Sequence, residues 1–562
     1  MKRLALALCL LGLGGVSACS SPEEGKPLGI EISQSRTMLT PMPGERSATL
    51  TVTLVGFANE ADVSRTSVSI KPVHVKGVSV VPLAPERTER SLVFGFRVEY
   101  DFGEALGEAP LLLDFALENL PKGYEYVGLF PPCLVEVVDG LEKARPIPLH
   151  QGNIGVFNHY ANTPEGLRRH YRLTENVHLA PPEAGQSNWT PIGTFEAYIH
   201  LEFAGSFDGD GHSLSGLVMD APDAGFQGMF GAIGPGAEIK NLGLKDVRIV
   251  GNWSVGGLVG RNEGEVHNSH ATGSVEGSLY TGGLVGLNIG TVHNSHATGS
   301  VEGRMYAGGL VGRNNGKVHN SHATGSVMGT AWYVGGLAGE SNGEVHNSYA
   351  TGSVEGDNEV GGLVGRSSGE VHNSYATGSV KGNNEVGGLL GGSSSKVHNS
   401  YATGSVTGLN DVGGLLGINW GTVQNSYAAG SVTGERMVGG LVGINGDGSI
   451  QNSAALSPRV LATGAEVGRV AGLNNERRAV LSDNRARDTM VLRHNNGASY
   501  EPTASTALHD QKDGAVTTLF RQQSFWTVVL RWDLSTSGAW EWKTGYLPIL
   551  RGVGGTQTPV VQ

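Results

Sequence analysis

Residues 255–275 read VGGLVGRNEGEVHNSHATGSV, and this segment returns almost unchanged along the middle of the chain. A Gly-Gly pair opens each copy, at Gly256, Gly282, Gly308, Gly335, Gly361, Gly387, Gly413 and Gly439. Successive pairs are 26 residues apart, with one step of 27. A fixed period of this length is typical of proteins built from stacked repeats, and it distinguishes this glycine-rich chain from disordered low-complexity sequence.

The composition of each unit indicates strands. The units contain Gly, Val, Asn, Ser and Thr, and they lack the apolar spacing of three and four that an amphipathic helix requires. Their apolar fragments allow three short strands per unit but are too short for propeller blades. We therefore predict a right-handed parallel β-helix, or solenoid, whose equivalent residues stack about 4.8 Å apart in columns.

The side chains of each unit divide into an inward and an outward set. The expected inward positions are Leu258, Val266, Ser269, Ala271 and Val275 with their equivalents in later units. His267 and His270 then face solvent. The reversed assignment of inward and outward positions would bury His270 and its equivalents. This is less favourable, because each buried polar group needs a hydrogen-bond partner.

An asparagine in each His-Asn-Ser or Gln-Asn-Ser motif is expected at a bend, donating its amide to the next coil in a ladder. The stacked asparagines, which we call the Asn268 file, are Asn268, Asn294, Asn320, Asn347, Asn373, Asn399, Asn425 and Asn452. We expect the Gly-Gly pairs to supply corners with positive φ. Glu359, on a corner of a later unit, is expected to be exposed.

Residues 255–260 and 266–275 resemble the GLUG repeat of bacterial surface proteins, adhesin-like proteins and the non-catalytic regions of immunoglobulin A peptidases. The resemblance covers about residues 225–472 and implies a β-solenoid with a surface role. The sequence contains no His-Glu-x-x-His motif, so the zinc site of those peptidases does not carry over. We expect no enzyme activity, no catalytic residue and no cofactor.

Three further regions flank the repeats. Apolar residues alternate with polar ones within residues 30–150, which predicts an immunoglobulin-like β-sandwich of antiparallel strands. Residues 151–224 resemble the first coils of such solenoids. Residues 473–562 carry Trp526, Trp540 and Trp542, and they are similar to an aromatic C-terminal cap that covers the unpaired strand edges. The predicted fold class is therefore all-β.

The N-terminus has the layout of a bacterial lipoprotein signal. Lys2 and Arg3 precede an apolar run that is too short to span a bilayer, and small residues lead to Cys19. Residues 1–18 are predicted as a signal peptide and 19–29 as a tether. The resemblance to a lipobox implies that Cys19 is acylated, for example with palmitate, and holds the protein in the outer membrane, exposed at the cell surface. A net charge of -12 argues against a nucleic-acid partner.

The histidine column, which begins at His267 and His293, raises the question of a metal site. Parallel imidazoles about 4.8 Å apart do not converge on one ion, so we predict no metal. A β-helix enzyme acting on polysaccharides would need paired carboxylates that break the repeat on one face, and this remains the alternative from the enzyme class.

The corner before each Gly-Gly pair is the most irregular part of the repeat. Early units place Tyr280, Tyr306, Trp332 and Tyr333 there, whereas later units place acids and amides. The aromatic residues either cover the sandwich or the coil edge, or they form a platform for a glycan or for a host or matrix protein. The predicted function is a binding, adhesion or structural rod of the cell envelope, with a passive spacer as the plainest alternative.

Overall fold

The computed structural model describes residues 28–35, 37–72, 77–102, 111–126, 133–196, 199–464, 466–475, 477–494, 498–499 and 515–554. They belong to two compact units, residues 1–139 and 140–562. The predicted signal peptide, most of the tether and Cys19 lie outside the described residues. The described helical segments are short: Glu60–Arg65, Ile154–Ala161, Gly166–Arg168, Leu519–Arg521 and Phe525–Val529. Within the described ranges, no helix combines the length and apolar character needed to cross a bilayer.

The first unit is a β-sandwich, as predicted, but two of its strand pairs, Leu28–Gln34 with Tyr124–Tyr126 and Thr37–Leu39 with Cys133–Val137, are parallel where we predicted antiparallel strands. One sheet has the order Val78–Pro82, Ser91–Tyr100, Ser47–Val55, Leu28–Gln34 and Tyr124–Tyr126, with Glu86–Arg87 paired to Ser91–Tyr100. The other has the order Thr37–Leu39, Cys133–Val137, Leu111–Glu118 and Ser67–Pro72. Side chains of both sheets share one core, and the alternating apolar residues of Ser91–Tyr100 are buried in it.

The second unit is a parallel β-solenoid, which confirms the all-β prediction, and its coils stack in three long sheets. The histidine sheet, named after its His267 column, has 13 strands: Ile147–Leu149, His170–Leu173, Ser206–Asp208, Glu238–Lys240, Glu265–His267, Thr291–His293, Lys317–His319, Glu344–His346, Val371–His372, Lys396–His398, Thr422–Gln424, Ser449–Gln451 and Val480–Ser482. The glycine sheet, which follows the Gly-Gly pairs, has ten: Phe230–Ile233, Val259–Asn262, Val285–Asn288, Val311–Asn314, Ala338–Ser341, Val364–Ser367, Leu390–Ser393, Leu416–Asn419, Val442–Asn445 and Ala471–Asn474.

The third sheet, called the corner sheet, has 29 strands. They are Val177–His178, Ser213–Ser215, Val218–Asp220, Gly243–Val250, Trp253–Gly256, His270–Gly282, His296–Ala297, Ser300–Gly308, His322–Ala323, Val327–Gly335, Tyr349–Ala350, Val354–Glu355, Asn358–Gly361, Tyr375–Ala376, Val380–Lys381, Asn384–Gly387, Tyr401–Ala402, Val406–Thr407, Asn410–Gly413, Tyr427–Ala428, Val432–Gly434, Arg436–Gly439, Ala454–Ala455, Arg459–Ala462, Val467–Gly468, Arg485–Arg487, Val491–His494, Ala498–Ser499 and Ala515–Thr517. Two small hairpins, Thr194–Glu196 with Ile199–Leu201 and Trp540–Glu541 with Ile549–Leu550, complete the unit.

The inward set of the repeat is confirmed. Leu258, Val266, Ser269, Ala271 and Val275 are all buried. Equivalent residues pair directly between coils, as in His267 with His293 and Val266 with Val292. Small and β-branched side chains fill the narrow interior, because each short strand contributes one or two inward residues.

The boundary between the units differs from the predicted one. The first unit ends at Asp139, and Ile147–Leu149 pairs in parallel with His170–Leu173 as the first strand of the solenoid. The alternation of Ile147 and Leu149 has the same period of two as the sandwich strands. A period alone cannot assign a strand to one of two β-domains.

The Gly-Gly pairs serve a different purpose from the predicted one. None of their residues has a positive φ, whereas the left-handed corners are filled by the Asn268 file and by a second file that includes Tyr280, Glu359 and Met437. A Cβ on Gly362 would lie 2.1 Å from the backbone oxygen of Gly388 in the next coil. Glycine is therefore required because the coils approach too closely for any side chain.

The C-terminal cap packs along the side of the coils. Ala515–Thr517 continues the corner sheet beside Arg485–Arg487, and the chain then turns back over earlier coils. Trp526, Trp532 and Trp540 form an aromatic cluster on Tyr427, whose hydroxyl donates to the Pro548 oxygen at 3.0 Å. The aromatic C-terminal cluster is confirmed, but it packs on the column of Tyr375, Tyr401 and Tyr427 along the side of the coils, where we had expected unpaired strand edges.

Candidate functional site

An apolar column crosses four successive coils of the corner sheet. Trp253, Leu279, Met305 and Trp332 are aligned by the strand register, and Trp332 is 44% exposed. We call these four residues the apolar column. In the following coils the same position holds Asn358, Asn384 and Asn410, whose amides form hydrogen bonds of 2.7 and 2.8 Å. The outer surface therefore changes from apolar to amide within one solenoid.

The predicted aromatic patch divides into two parts. Trp332 is an exposed member of the apolar column, whereas Tyr280, Tyr306 and Tyr333 are half-buried in left-handed corners. The Tyr306 and Tyr333 rings stack with centres 4.8 Å apart, and the Tyr280 ring lies 5.0 Å from Tyr306 at an angle of 51°. The Arg313 guanidinium lies 5.6 Å from the centres of the first two rings and donates to the Tyr280 hydroxyl at 3.1 Å. Their half-burial fits cover of the coil edge, and a ligand-binding role for these three tyrosines stays a prediction.

A shallow groove runs beside the apolar column. The adjacent column contains Glu276, Glu302, Met328, Glu355 and Lys381. Met328 is exposed, and Glu355 forms an ion pair with Lys381 at 2.5 Å. Around Met328 the groove encloses about 380 Å³. Apolar and charged groups thus lie side by side on this face.

The corner file after the tyrosines is acidic, and its burial contradicts our expectation for Glu359. This residue is 3% exposed, and the Arg366 guanidinium donates to its carboxylate at 3.0 Å. Burial, reinforced by Glu385 in the next coil, raises the pKa of Glu359 to about 7. Burial also raises the pKa values of Glu385 and Asp411. Glu359 occupies the place that Tyr280, Tyr306 and Tyr333 take in earlier units. A position that accepts tyrosine in other units was the sequence signal that this side chain is buried.

The outer ends of the corner strands form a continuous file of stacked rings. It contains His270, His296, His322, Tyr349, Tyr375, Tyr401 and Tyr427, with neighbouring ring centres 4.6 to 4.9 Å apart. The cap lies over the last three tyrosines, and the Tyr375 hydroxyl donates to the Gly554 oxygen at 2.5 Å. Burial lowers the pKa of His296 to about 4. The change from histidine to tyrosine therefore marks where the cap packs.

The His267 column is half-buried and paired with acids. His267, His293, His372 and His398 each place Nε2 within 3.2 Å of a glutamate of the preceding coil, at Glu238, Glu265, Glu344 and Glu370. His267 and His293 are stacked, with ring centres 4.9 Å apart and planes within 4°. In the pairs His267/His293 and His372/His398 the imidazole rings are parallel, which is the arrangement that we expected for the whole column.

The asparagines of the His-Asn-Ser motif differ from the predicted ladder. They occupy left-handed corners, and among the described residues their only amide-to-amide bond joins Asn268 to Asn241 at 3.2 Å. The corner points their side chains outward, so the file mainly uses the tolerance of asparagine for positive φ. An amide ladder lies instead in the glycine sheet, where Asn262, Asn288 and Asn314 are fully buried and joined at 2.7 Å, before Ser341 takes the same position in the next coil. We predicted no role for this second file.

The repeats match the family model of the GLUG motif in five consecutive segments, residues 251–276, 277–302, 303–328, 330–355 and 356–381. The predicted resemblance to the GLUG repeat is therefore confirmed for these coils. The break in the match at residue 329 coincides with the 27-residue step.

Two curated relatives match short stretches of the chain. Halomucin of Haloquadratum walsbyi is 38% identical over 111 residues, which is 19% of this chain and 1% of that protein. A "Putative Gly-rich membrane protein" of Evansella cellulosilytica is 40% identical over 103 residues, 18% of this chain and 12% of that protein. The matched region thus spans only a small part of each relative.

A solved structure with partial similarity is described as a "putative immunoglobulin A1 protease from Bacteroides ovatus". It is 16% identical, and the alignment covers 73% of this chain and 94% of that chain with a TM-score of 0.26.

Proposed function

We propose that this chain is a non-catalytic cell-envelope protein whose solenoid is a rigid rod that binds an extended polymer. The apolar column of Trp253, Leu279, Met305 and Trp332 carries this proposal: its two tryptophans are exposed, and Leu279 and Met305 between them are half-buried. Later coils stack equally well with asparagine in the same position. The fold therefore does not require apolar residues there, and exposed apolar surface of this kind commonly serves binding.

The geometry of the column favours a linear ligand. Four positions in successive coils give a strip about 14 Å long, since coils are about 4.8 Å apart. Trp253 and Trp332 offer ring surface at its two ends, and Glu276 and Glu302 provide acceptors in the adjacent column. Flat rings beside carboxylates suit the apolar and hydroxyl-bearing faces of a sugar chain. We therefore propose a glycan as the ligand. Binding to a host or matrix protein would be the alternative outcome of the test.

An envelope location is supported by the GLUG repeats and by the names of the relatives, which include a membrane protein. We infer that acylated Cys19 anchors the chain in the outer membrane, with the solenoid at the cell surface. Two acyl chains would give stable anchoring, because each buried CH₂ contributes about 0.8 kcal/mol.

The binding proposal predicts that Trp332→Ala weakens glycan binding at least tenfold, because aromatic anchors dominate such contacts. Binding is measured for the purified chain on an array of polysaccharides and matrix proteins. Trp420→Ala is the matched control, since Trp420 is 48% exposed elsewhere on the solenoid. Binding that survives Trp332→Ala, or that is lost equally in Trp420→Ala, would contradict the proposal. Binding to matrix proteins alone would identify the alternative ligand.

The anchor proposal predicts that a palmitate analogue labels the wild-type protein in growing cells and that Cys19→Ala abolishes the label. Cys133→Ala is the control, because Cys133 is the only other cysteine after the signal peptide. Protease treatment of intact cells then tests surface exposure. Equal labelling of the wild type and Cys19→Ala would refute acylation at this residue.

A further inference from the structure

The His267 column loses its regular pairing at two adjacent coils. In the regular coils each histidine faces a glutamate of the preceding coil. The equivalent positions before His319 and His346 hold Thr291 and Lys317. Neither side chain can accept the imidazole N–H as a carboxylate does, so both histidines lack their usual partner.

Glu344 becomes the common partner of three histidines. His372 Nε2 lies 3.1 Å from Glu344 Oε1, as in the regular pairs. His346 Nδ1 lies 4.0 Å from the same oxygen, and His319 Nε2 lies 3.5 Å from Oε2. His319 Nε2 is shielded from solvent and makes no hydrogen bond within the described residues.

The rings turn away from the parallel stack at this point. The planes of His319 and His346 are 62° apart, and those of His346 and His372 are 28° apart with ring centres at 3.9 Å. The next pair, His372 and His398, is again parallel within 3°. The imidazoles of His319, His346 and His372 are therefore not parallel, although we predicted no metal from parallel rings.

The resulting donor set suits a divalent transition metal. Glu344, His346 and His372 can each offer an atom such that all three lie within 4.8 Å of one another, and this is the one such group of three or more in the described part of the chain. Tetrahedral zinc, with Zn–N distances of about 2.0 Å, needs donors about 3.3 Å apart. These side chains are partly exposed, so small rotations can close the difference.

A second partner supports His346 as a ligand through Nδ1. The Asn373 amide lies 3.4 Å from His346 Nε2, and Asn373 Oδ1 is buried without a hydrogen bond among the described residues. A metal-ligating histidine commonly donates its other N–H to a neighbouring acceptor. Rotation of the Asn373 amide would provide that acceptor.

We propose that Glu344, His346 and His372 bind one Zn²⁺, with His319 as the fourth ligand. The ion joins three successive coils and holds them together. Carboxylate and imidazole donors in a tetrahedral arrangement are the set that zinc accepts.

The test is titration of the purified, chelator-treated full chain, without a histidine tag, with Zn²⁺ in a calorimeter. We expect one ion per chain and a rise in melting temperature on binding. His346→Ala and Glu344→Gln should each weaken binding at least tenfold. Co²⁺ in place of Zn²⁺ should give the visible absorption of tetrahedral coordination.

His293→Ala is the matched control. His293 is also half-buried and lies 2.7 Å from Glu265, but it belongs to the regular stack. It should leave the stoichiometry and affinity unchanged. Absence of Zn²⁺ binding, binding unchanged in Glu344→Gln, or an equal loss in His293→Ala would overturn the proposal, and melting curves without metal show whether each variant is folded.

Discussion

Replacing Gly362 by alanine is expected to lower the free energy of unfolding of the solenoid by about 3 kcal/mol or more. The new Cβ would lie 2.1 Å from the Gly388 oxygen and 3.0 Å from the Ala376 Cβ. The first contact is with backbone of the next coil, which cannot rotate away. Gly388 is equally close to the backbone of the following coil, at the Gly414 oxygen. A displacement of one coil to relieve the clash would therefore displace the next coil as well.

Urea unfolding followed by circular dichroism measures this loss, and Gly392→Ala is the matched control. A Cβ on Gly392 would meet only side-chain atoms, at 3.3 Å from Glu359 Oε2 and Ile418 Cγ2. The same column carries Arg366 and Ile418 in the adjacent coils, so a side chain fits there. We expect a change within about 0.5 kcal/mol for the control. Similar losses in both variants would show that coil spacing does not explain the Gly-Gly pairs.

The period of the repeat was sufficient to predict the solenoid. Residues 26 apart with the same identity must occupy equivalent places, so columns such as Val266 with Val292 followed directly. The alternation around these valines then fixed the inward face. The sandwich was predicted for the same reason, since Leu92, Phe94 and Phe96 alternate with less buried residues in one strand.

Details that depend on neighbouring coils could not be predicted in the same way. The Glu359 carboxylate lies beside Gly392 and interacts with Glu385, both of the next coil, in addition to its bond with Arg366. The cluster at Glu344 arises because two other coils hold Thr291 and Lys317 in place of glutamate. In the repeat pattern such substitutions look like ordinary variation at exposed positions. In the structure they change which side chains are in contact between coils.

The repeat contains two columns of asparagine, one through Asn262 and one through Asn268, and the sequence does not distinguish their roles. Asn262 and Asn268 recur with the same period, and both types of position can form ladders. Which one lies inside depends on the backbone at the corner, where Asn268 has φ 51°. A left-handed residue breaks the alternation of inward and outward side chains, so the alternation of neighbouring residues does not determine its direction.

Asn288→Leu should therefore destabilise the solenoid by about 2 to 6 kcal/mol. Asn288 is fully buried, donates to Asn314 Oδ1 and accepts from Asn262 Nδ2, both at 2.7 Å. Leucine has the same four side-chain heavy atoms branched at Cγ but no polar group, so the Asn262 amide N–H and the Asn314 oxygen are left without their partners, at about 1 to 3 kcal/mol each. Urea unfolding again provides the measurement. Asn288→Ser should lose less, because Ser341 and Ser367 occupy the same column.

Asn294→Leu makes the same substitution six residues later in the same coil, at the exposed left-handed corner. It should cost only about 1 to 2 kcal/mol, the penalty of a bulkier residue at φ 50°. If Asn294→Leu proved more damaging than Asn288→Leu, the outer file would be the stabilising ladder, as the sequence suggested. The reverse order would mean that the coils are held together by amides inside the solenoid, leaving its outer surface free to vary as it does between Trp332 and Asn358.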